Sequence, residues 1–274
     1  MGTYTQRRKQ MFDKVVVSTD ENPDFIDFIP IVSTAWKKFF PEAELAIAFV
    51  TDRDEEDETV QKMRQYGDVG LFATVPDVPT SNQAKICRHL MAARQGSSVC
   101  MLEDVDTIPL QRAFFEERTS SHEAGKILAV GREVYGNTQG YNNFPMSTAT
   151  ATGNVFREIF GDKEDSEIVS SFVGKIKYFD KEDISQPYPH FSDEYLLRVL
   201  IEEWAGEVIH IRRNVDIRTQ WIDRSWWSID SDKLNAGQYV TCNFLRNMRD
   251  QFSQIKPVAD YIYGKSVDIE DVTL

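Results

Sequence analysis

Val99-Cys100-Met101-Leu102-Glu103-Asp104-Val105-Asp106 is the stretch that decides the fold of this chain. Four apolar residues without polar alternation read as a strand buried on both faces, the pattern of a parallel sheet covered by helices. The run then passes directly into acid. Upstream lie comparable runs. Val15-Val16-Val17 ends in the polar turn Ser18-Thr19-Asp20-Glu21-Asn22-Pro23, residues 45–50 close on Thr51-Asp52-Arg53, and residues 69–75 lead into a proline-containing loop at 76–81. Between the runs the period changes to that of a helix. Phe25, Ile29, Val32, Trp36 and Phe39 share one face, with Pro30 at a kink or in an early turn. An acidic segment at 54–58 opens a polar helix to about residue 66, and a helix over 83–95 turns Ile86, Leu90 and Ala93 inward and closes at Gly96. Strands alternating with helices predict an α/β fold with a mostly parallel sheet, in which ligands gather at the carboxyl ends of the strands. The acidic triplet stands at such an end.

The second half is less regular. Residues 127–130 and 208–211 read as strands, 155–160 and 193–204 as helices, and the Gly- and Asn-rich stretch 135–144 as a loop. After residue 255 the chain is acidic and weakly patterned. No repeat or linker divides the sequence, so it is expected to form a single domain over 1–274, with halves at about 1–110 and 111–230 and an extension at about 231–274.

Composition narrows the function classes. A formal net charge of −13 disfavours binding to nucleic acid polymers, although it leaves room for a nucleotide held by a few local cations. No run of eighteen apolar residues suggests a membrane span. The polar, basic start lacks the apolar core of a secretory signal. The three cysteines, Cys87, Cys100 and Cys242, form no metal-type pair and their odd number argues against a disulfide framework. A cytoplasmic location is the expectation.

Several constellations carry chemistry. Asp104 and Asp106 bring two hard oxygen ligands to one strand end, which suits Mn²⁺ or Mg²⁺ if the backbone turns so that both face one cleft. The alternative is a solvated acidic loop. Lys85 and Arg88 are three apart on a helix face and suit a phosphate group, or simply water. In Tyr188-Pro189-His190-Phe191-Ser192-Asp193-Glu194, Ser192 is a candidate helix cap with both acids in the first turn, where the helix dipole favours them; either acid, Asp193 first, is also placed to act as a general base. His210, followed by Arg212-Arg213, is a candidate metal ligand or a structural histidine. Trp221-Ile222-Asp223-Arg224-Ser225-Trp226-Trp227 offers aromatic faces for sugar stacking or for core.

The order of these elements resembles the GT-A glycosyltransferases: Ser18-Thr19-Asp20, Thr51-Asp52, the Lys85/Arg88 helix, the apolar strand into Asp104-Val105-Asp106, Thr152-Gly153-Asn154, then Ser192-Asp193-Glu194. It looks most similar to the small GT-A enzymes of large algal DNA viruses and bacterial polysaccharide pathways, over about residues 15–213. The resemblance implies a single Rossmann-like domain with a nucleotide-binding first half and an acceptor-facing second half. It implies transfer of a hexosyl or pentosyl group from a nucleotide sugar, by default a UDP-sugar, to a glycan or glycoconjugate acceptor with Mn²⁺ or Mg²⁺. In that reading Thr19, Asp20 and Asp52 lie near base and ribose, and Lys85 and Arg88 line the nucleotide site. Asp104 and Asp106 hold the metal, with His210 the candidate for the late histidine that many members add. Gly153 and Asn154 shape the sugar pocket, while Asp193 and Glu194 face the acceptor.

Two other readings compete. Phosphatases of the haloacid dehalogenase type also place Asp-x-Asp after an apolar strand, using the first Asp as nucleophile, and Gly161-Asp162-Lys163-Glu164-Asp165 resembles their second acidic motif. They place that nucleophile on the first strand, however, whereas about three strands precede Asp104 here. A catalytically inactive nucleotide-sugar-binding protein is the non-enzymatic alternative.

Overall fold

The computed structural model describes residues 11–131, 144–161, 163–177, 192–212 and 217–274, without the side chains of 172–177, 192, 193, 195, 217 and 218. The apolar runs become the centre of a seven-stranded sheet. Its strands are β1 (Lys14–Thr19), β2 (Glu44–Val50), β3 (Asp68–Phe72), β4 (Val99–Leu102), β6 (Lys126–Val130), β7 (Thr150–Thr152) and β8 (Glu207–Ile211), in the order β3-β2-β1-β4-β7-β6-β8. β5 (Thr107–Pro109), β9 (Trp221–Asp223) and β10 (Thr241–Asn243) form a second, three-stranded sheet in the order β5-β10-β9. The first four strands of the large sheet are parallel, and β7 alone runs against its neighbours β4 and β6.

The continuous apolar strands work because both faces are covered. Side chains alternate along a strand, so Val15, Val17, Ile47 and Phe49 enter one core while Val16, Ala46, Ala48 and Val50 enter the other. The first core packs under the helices Ile29–Phe39 and Met248–Tyr263, with Phe12, Trp36, Phe40 and Phe115 in edge and tilted ring contacts. The second packs under Thr80–Ala93, Gly153–Phe160 and Ser192–Glu203.

Local chemistry sets the element ends. Pro30 sits in the first turn of Ile29–Phe39, where its missing N–H costs nothing, and a separate short helix, Pro23–Ile26, is capped by Asn22. Asp57 caps Glu58–Met63, so the acids before it remain outside the expected helix. Thr152 caps Gly153–Phe160 through Val155 N–H. The C-terminal stretch departs most from expectation. Ile255, Val258, Ala259 and Ile262 recur at helical spacing and are buried in the sixteen-residue helix Met248–Tyr263, a period hidden by its polar neighbours and by Pro257 within it. Most of the expected loop at 135–144 lies outside the described residues.

Candidate functional site

The carboxyl ends of β1 and β4 border a cleft of about 220 Å³, lined among others by Thr19, Asp20, Lys85, Arg88, Asp104 and Asp106. These six residues come from three separate stretches of sequence. Parallel pairing brings them together, since Val16 is the β1 partner of Leu102 and both strands then end on the same side.

The backbone turns at the triplet. Glu103 N–H extends the ladder to Val16 C=O at 3.0 Å, and Thr107 N–H closes on Asp104 C=O at 3.0 Å. That turn brings both Asp side chains to the cleft, which the buried Val105 between them also lines. Each carboxylate has an arginine. Arg88, whose side chain is 3% exposed, donates to Asp104 Oδ1 at 2.5 Å and to Glu103 C=O at 2.7 Å. Arg224 pairs with Asp106 Oδ2 across 118 positions of sequence. Surrounding protein works against ionisation of both acids. At Asp104 the charge and hydrogen bond of Arg88, with help from Arg224 and Lys85, outweigh it and hold the carboxyl below its usual range. At Asp106 burial prevails over Arg224 and the carboxyl is pushed up. Glu103 is sealed behind the triplet, where it accepts from Ser147 Oγ at 2.5 Å and Asp104 N–H at 3.1 Å. Burial, aided by the neighbouring Asp104 charge, raises its carboxyl to about 8.

On the β1 side, Asp20 is buried and accepts from Thr80 Oγ1 at 2.8 Å and Asn22 N–H at 3.2 Å. Asp52 borders an adjoining recess that shares Asp20 and Ser81 with the cleft. It accepts from Thr74 Oγ1 at 2.6 Å and Thr74 N–H at 2.9 Å, and these bonds lower its carboxyl. Glu194 also lines the cleft. Asp193 lies in the helix Ser192–Glu203, with its side chain outside the described residues.

Three expected site residues stand elsewhere. Gly153 and Asn154 follow β7, and because β7 runs against β4, Thr152 pairs with Val99, the first residue of β4. That puts Gly153 about 13 Å back along the strand from the carboxyl end of β4, beyond which the triplet lies. Its lack of a side chain serves packing, since a Cβ would lie 2.6 Å from Gly96 N and 2.7 Å from Ala92 O. His210 is an exposed residue of the edge strand β8, three strands from β4, or about 14 Å away. Among the described residues no group of three His, Cys, Asp or Glu is placed to hold a metal ion.

The sequence reading missed two cleft cations. Arg224 follows β9, and Arg246 follows β10 with its guanidinium over the Phe25 ring at 5.4 Å. The small sheet delivers both: β10 pairs with β5 directly after the triplet, and Phe244 N–H binds Asp106 C=O at 2.8 Å. No local sequence signal marks either arginine, because their position depends on this long-range pairing.

No protein-family model matches the chain, and no curated protein matches its sequence. Solved structures do match. The chain is similar to the galactosyltransferase LgtC in complex with donor and acceptor sugar analogs, with a TM-score of 0.50 at 9% identity over 93% of this chain and 97% of that one. An active-site mutant of LgtC gives 0.47 at 10% identity over 84% and 86%, respectively. The glycosyltransferase GlyE of Streptococcus pneumoniae TIGR4 gives 0.45 at 12% over 94% and 62%. The mostly parallel seven-stranded sheet flanked by helices is thus the mixed α/β architecture of the GT-A glycosyltransferases.

Proposed function

We propose that this chain is a glycosyltransferase that moves a sugar from a nucleotide-sugar donor, by default a UDP-sugar, to a glycan or glycoconjugate acceptor, with Mn²⁺ or Mg²⁺ bound at Asp104 and Asp106. The observation that carries the reading is the meeting of both triplet carboxylates with Lys85, Arg88, Arg224 and Arg246 in one cleft at the carboxyl ends of β1 and β4. A diphosphate needs such a balance of cations, and a divalent ion needs such oxygens.

The donor set fits a hard divalent cation. Arg88 and Arg224 each take one carboxylate oxygen, leaving the second oxygen of Asp104 and of Asp106 without a protein partner among the described residues. Two carboxylates completed by substrate phosphate oxygens and water are a usual Mg²⁺ environment, so a third protein ligand is not required. When bound, the cation neutralises charge developing on the departing nucleoside diphosphate as a Lewis acid. The chain's own residues orient and enclose. Thr19 and Asp20, with Asp52 across the shared rim, face the nucleoside; Lys85 offers a cation to the phosphates; Arg88 fixes the aim of Asp104. Glu194, or Asp193 beside it, takes the acceptor proton as general base. In this reading about 1–110 binds the nucleotide, about 111–230 meets the acceptor, and the 231–274 extension contributes Arg246.

The test is a panel of UDP-, GDP- and dTDP-sugars with Mn²⁺, read by thermal shift and then by donor hydrolysis. One donor should raise the melting temperature, because ligand binding to the folded state stabilises it. Asp106→Ala should abolish hydrolysis and transfer while the protein stays folded, and EDTA should do the same. Full activity in EDTA would remove the metal from the proposal. Phosphate release from simple esters, lost in Asp104→Asn, would replace the transferase with a phosphatase.

A further inference from the structure

The two arginines on the triplet differ in how they are held. Arg88 is built in: its side chain is 3% exposed and it bonds both the Glu103 carbonyl and Asp104. Arg224 has a 27% exposed side chain, reaches into the cleft, and makes one ion pair, to Asp106. Its backbone is fixed, since Ser225 N–H is held by Asp223 Oδ1 at 2.8 Å, so the guanidinium can swing without moving the turn. Asp106 cannot follow, because its side chain is 6% exposed and its carbonyl is tied to Phe244 N–H at 2.8 Å.

We propose that Arg224 is an exchangeable partner which holds Asp106 before the donor binds and transfers to the donor's diphosphate, releasing the Asp106 carboxylate to the divalent cation. The inference rests on the donor and metal assignment above and adds a coupling between them. A buried carboxylate that loses the cation it is paired with is strongly destabilised. Arg224 therefore leaves Asp106 only when another cation replaces it, and the diphosphate supplies the anion that draws the guanidinium away. Cation and diphosphate then enter together. Arg246, held over Phe25 on the same side of the cleft, faces Asp106 as a second positive charge and limits cation entry in the same sense.

The experiment measures Mn²⁺ binding by the electron paramagnetic resonance of free Mn²⁺, and UDP binding by calorimetry, in wild type, Arg224→Gln and Arg224→Lys. Arg224→Gln should bind Mn²⁺ alone about tenfold more tightly than wild type, the scale of one charge-assisted hydrogen bond. Its affinity for UDP in the presence of Mn²⁺ should fall by a similar factor. Arg224→Lys keeps the charge and should bind Mn²⁺ alone as weakly as wild type. Equal or weaker Mn²⁺ binding by a folded Arg224→Gln overturns the proposal, as does unchanged UDP affinity. The parent reading fails differently: wild type would then bind no UDP with or without Mn²⁺, while the Mn²⁺-only comparison still tests the exchange.

Discussion

Arg88 ties the helix Thr80–Ala93 to the acidic triplet, and its removal has a calculable cost. Arg88→Ala deletes a charged hydrogen bond to the buried Glu103 carbonyl and the ion pair with Asp104. The first is worth about 1.5–3 kcal/mol because one partner is a full charge and the site is dry. The second is discounted to about 1 kcal/mol, since the Asp104 side chain is 47% exposed and water screens it. The expected loss is about 2.5–4 kcal/mol, before any cost of the space left by the side chain. Asp104→Asn loses only the screened pair and should cost about 1 kcal/mol, so the two variants are unequal although they break the same contact. Urea denaturation of both singles and the double variant measures this as a thermodynamic cycle. Arg88→Ala within 1 kcal/mol of wild type would refute the reasoning, and so would an Asp104→Asn loss as large as that of Arg88→Ala.

Other outcomes follow from the packing. His89 is wholly buried beside the Phe156 and Phe160 rings; burial, assisted by Arg88, holds its imidazole well below the ordinary 6.5. A group that must stay neutral when folded stabilises the protein above its unfolded value, so stability should decline as pH falls through about 6.5, at about 1.4 kcal/mol per pH unit while the folded imidazole remains neutral. His89→Leu should flatten that slope in melts between pH 7 and 5; an unchanged slope would place its origin elsewhere. Gly153→Ala should cost about 1–3 kcal/mol, because its Cβ meets the backbone at Gly96 and Ala92 rather than a yielding side chain; a melting temperature equal to wild type would contradict the close approach. Trp36→Ala should cost about 3–5 kcal/mol by emptying the Phe12, Phe40 and Phe115 cluster, and a much smaller loss in denaturant would show that the cluster refills.

What was legible was local. The unbroken apolar runs at β1, β2 and β4 announced strands covered on both faces, and β4 had the predicted bounds because apolar sequence gives way to acid in one step. Gly96, at φ 59°, likewise marked the end of the helix Thr80–Ala93, whose start lies three residues before the expected one, inside the expected loop. The helix Met248–Tyr263 was missed although its period was present, since the spaced Ile255, Val258, Ala259 and Ile262 were diluted by charge and interrupted by Pro257.

The sequence by itself determined a parallel α/β core with the Asp104-Val105-Asp106 turn at a strand end beside Lys85 and Arg88, because side-chain period and strand-end acidity are properties of neighbouring residues. Tertiary structure alone decided which distant residues share that cleft. The reversed direction of β7 carried Gly153 and Asn154 to the far end of the sheet, and the edge position of β8 kept His210 away. The β5-β10-β9 sheet brought Arg224 to Asp106 from 118 positions along the chain. Strand direction and order are set by which pairings bury the most surface over the whole molecule, and no single segment records that outcome.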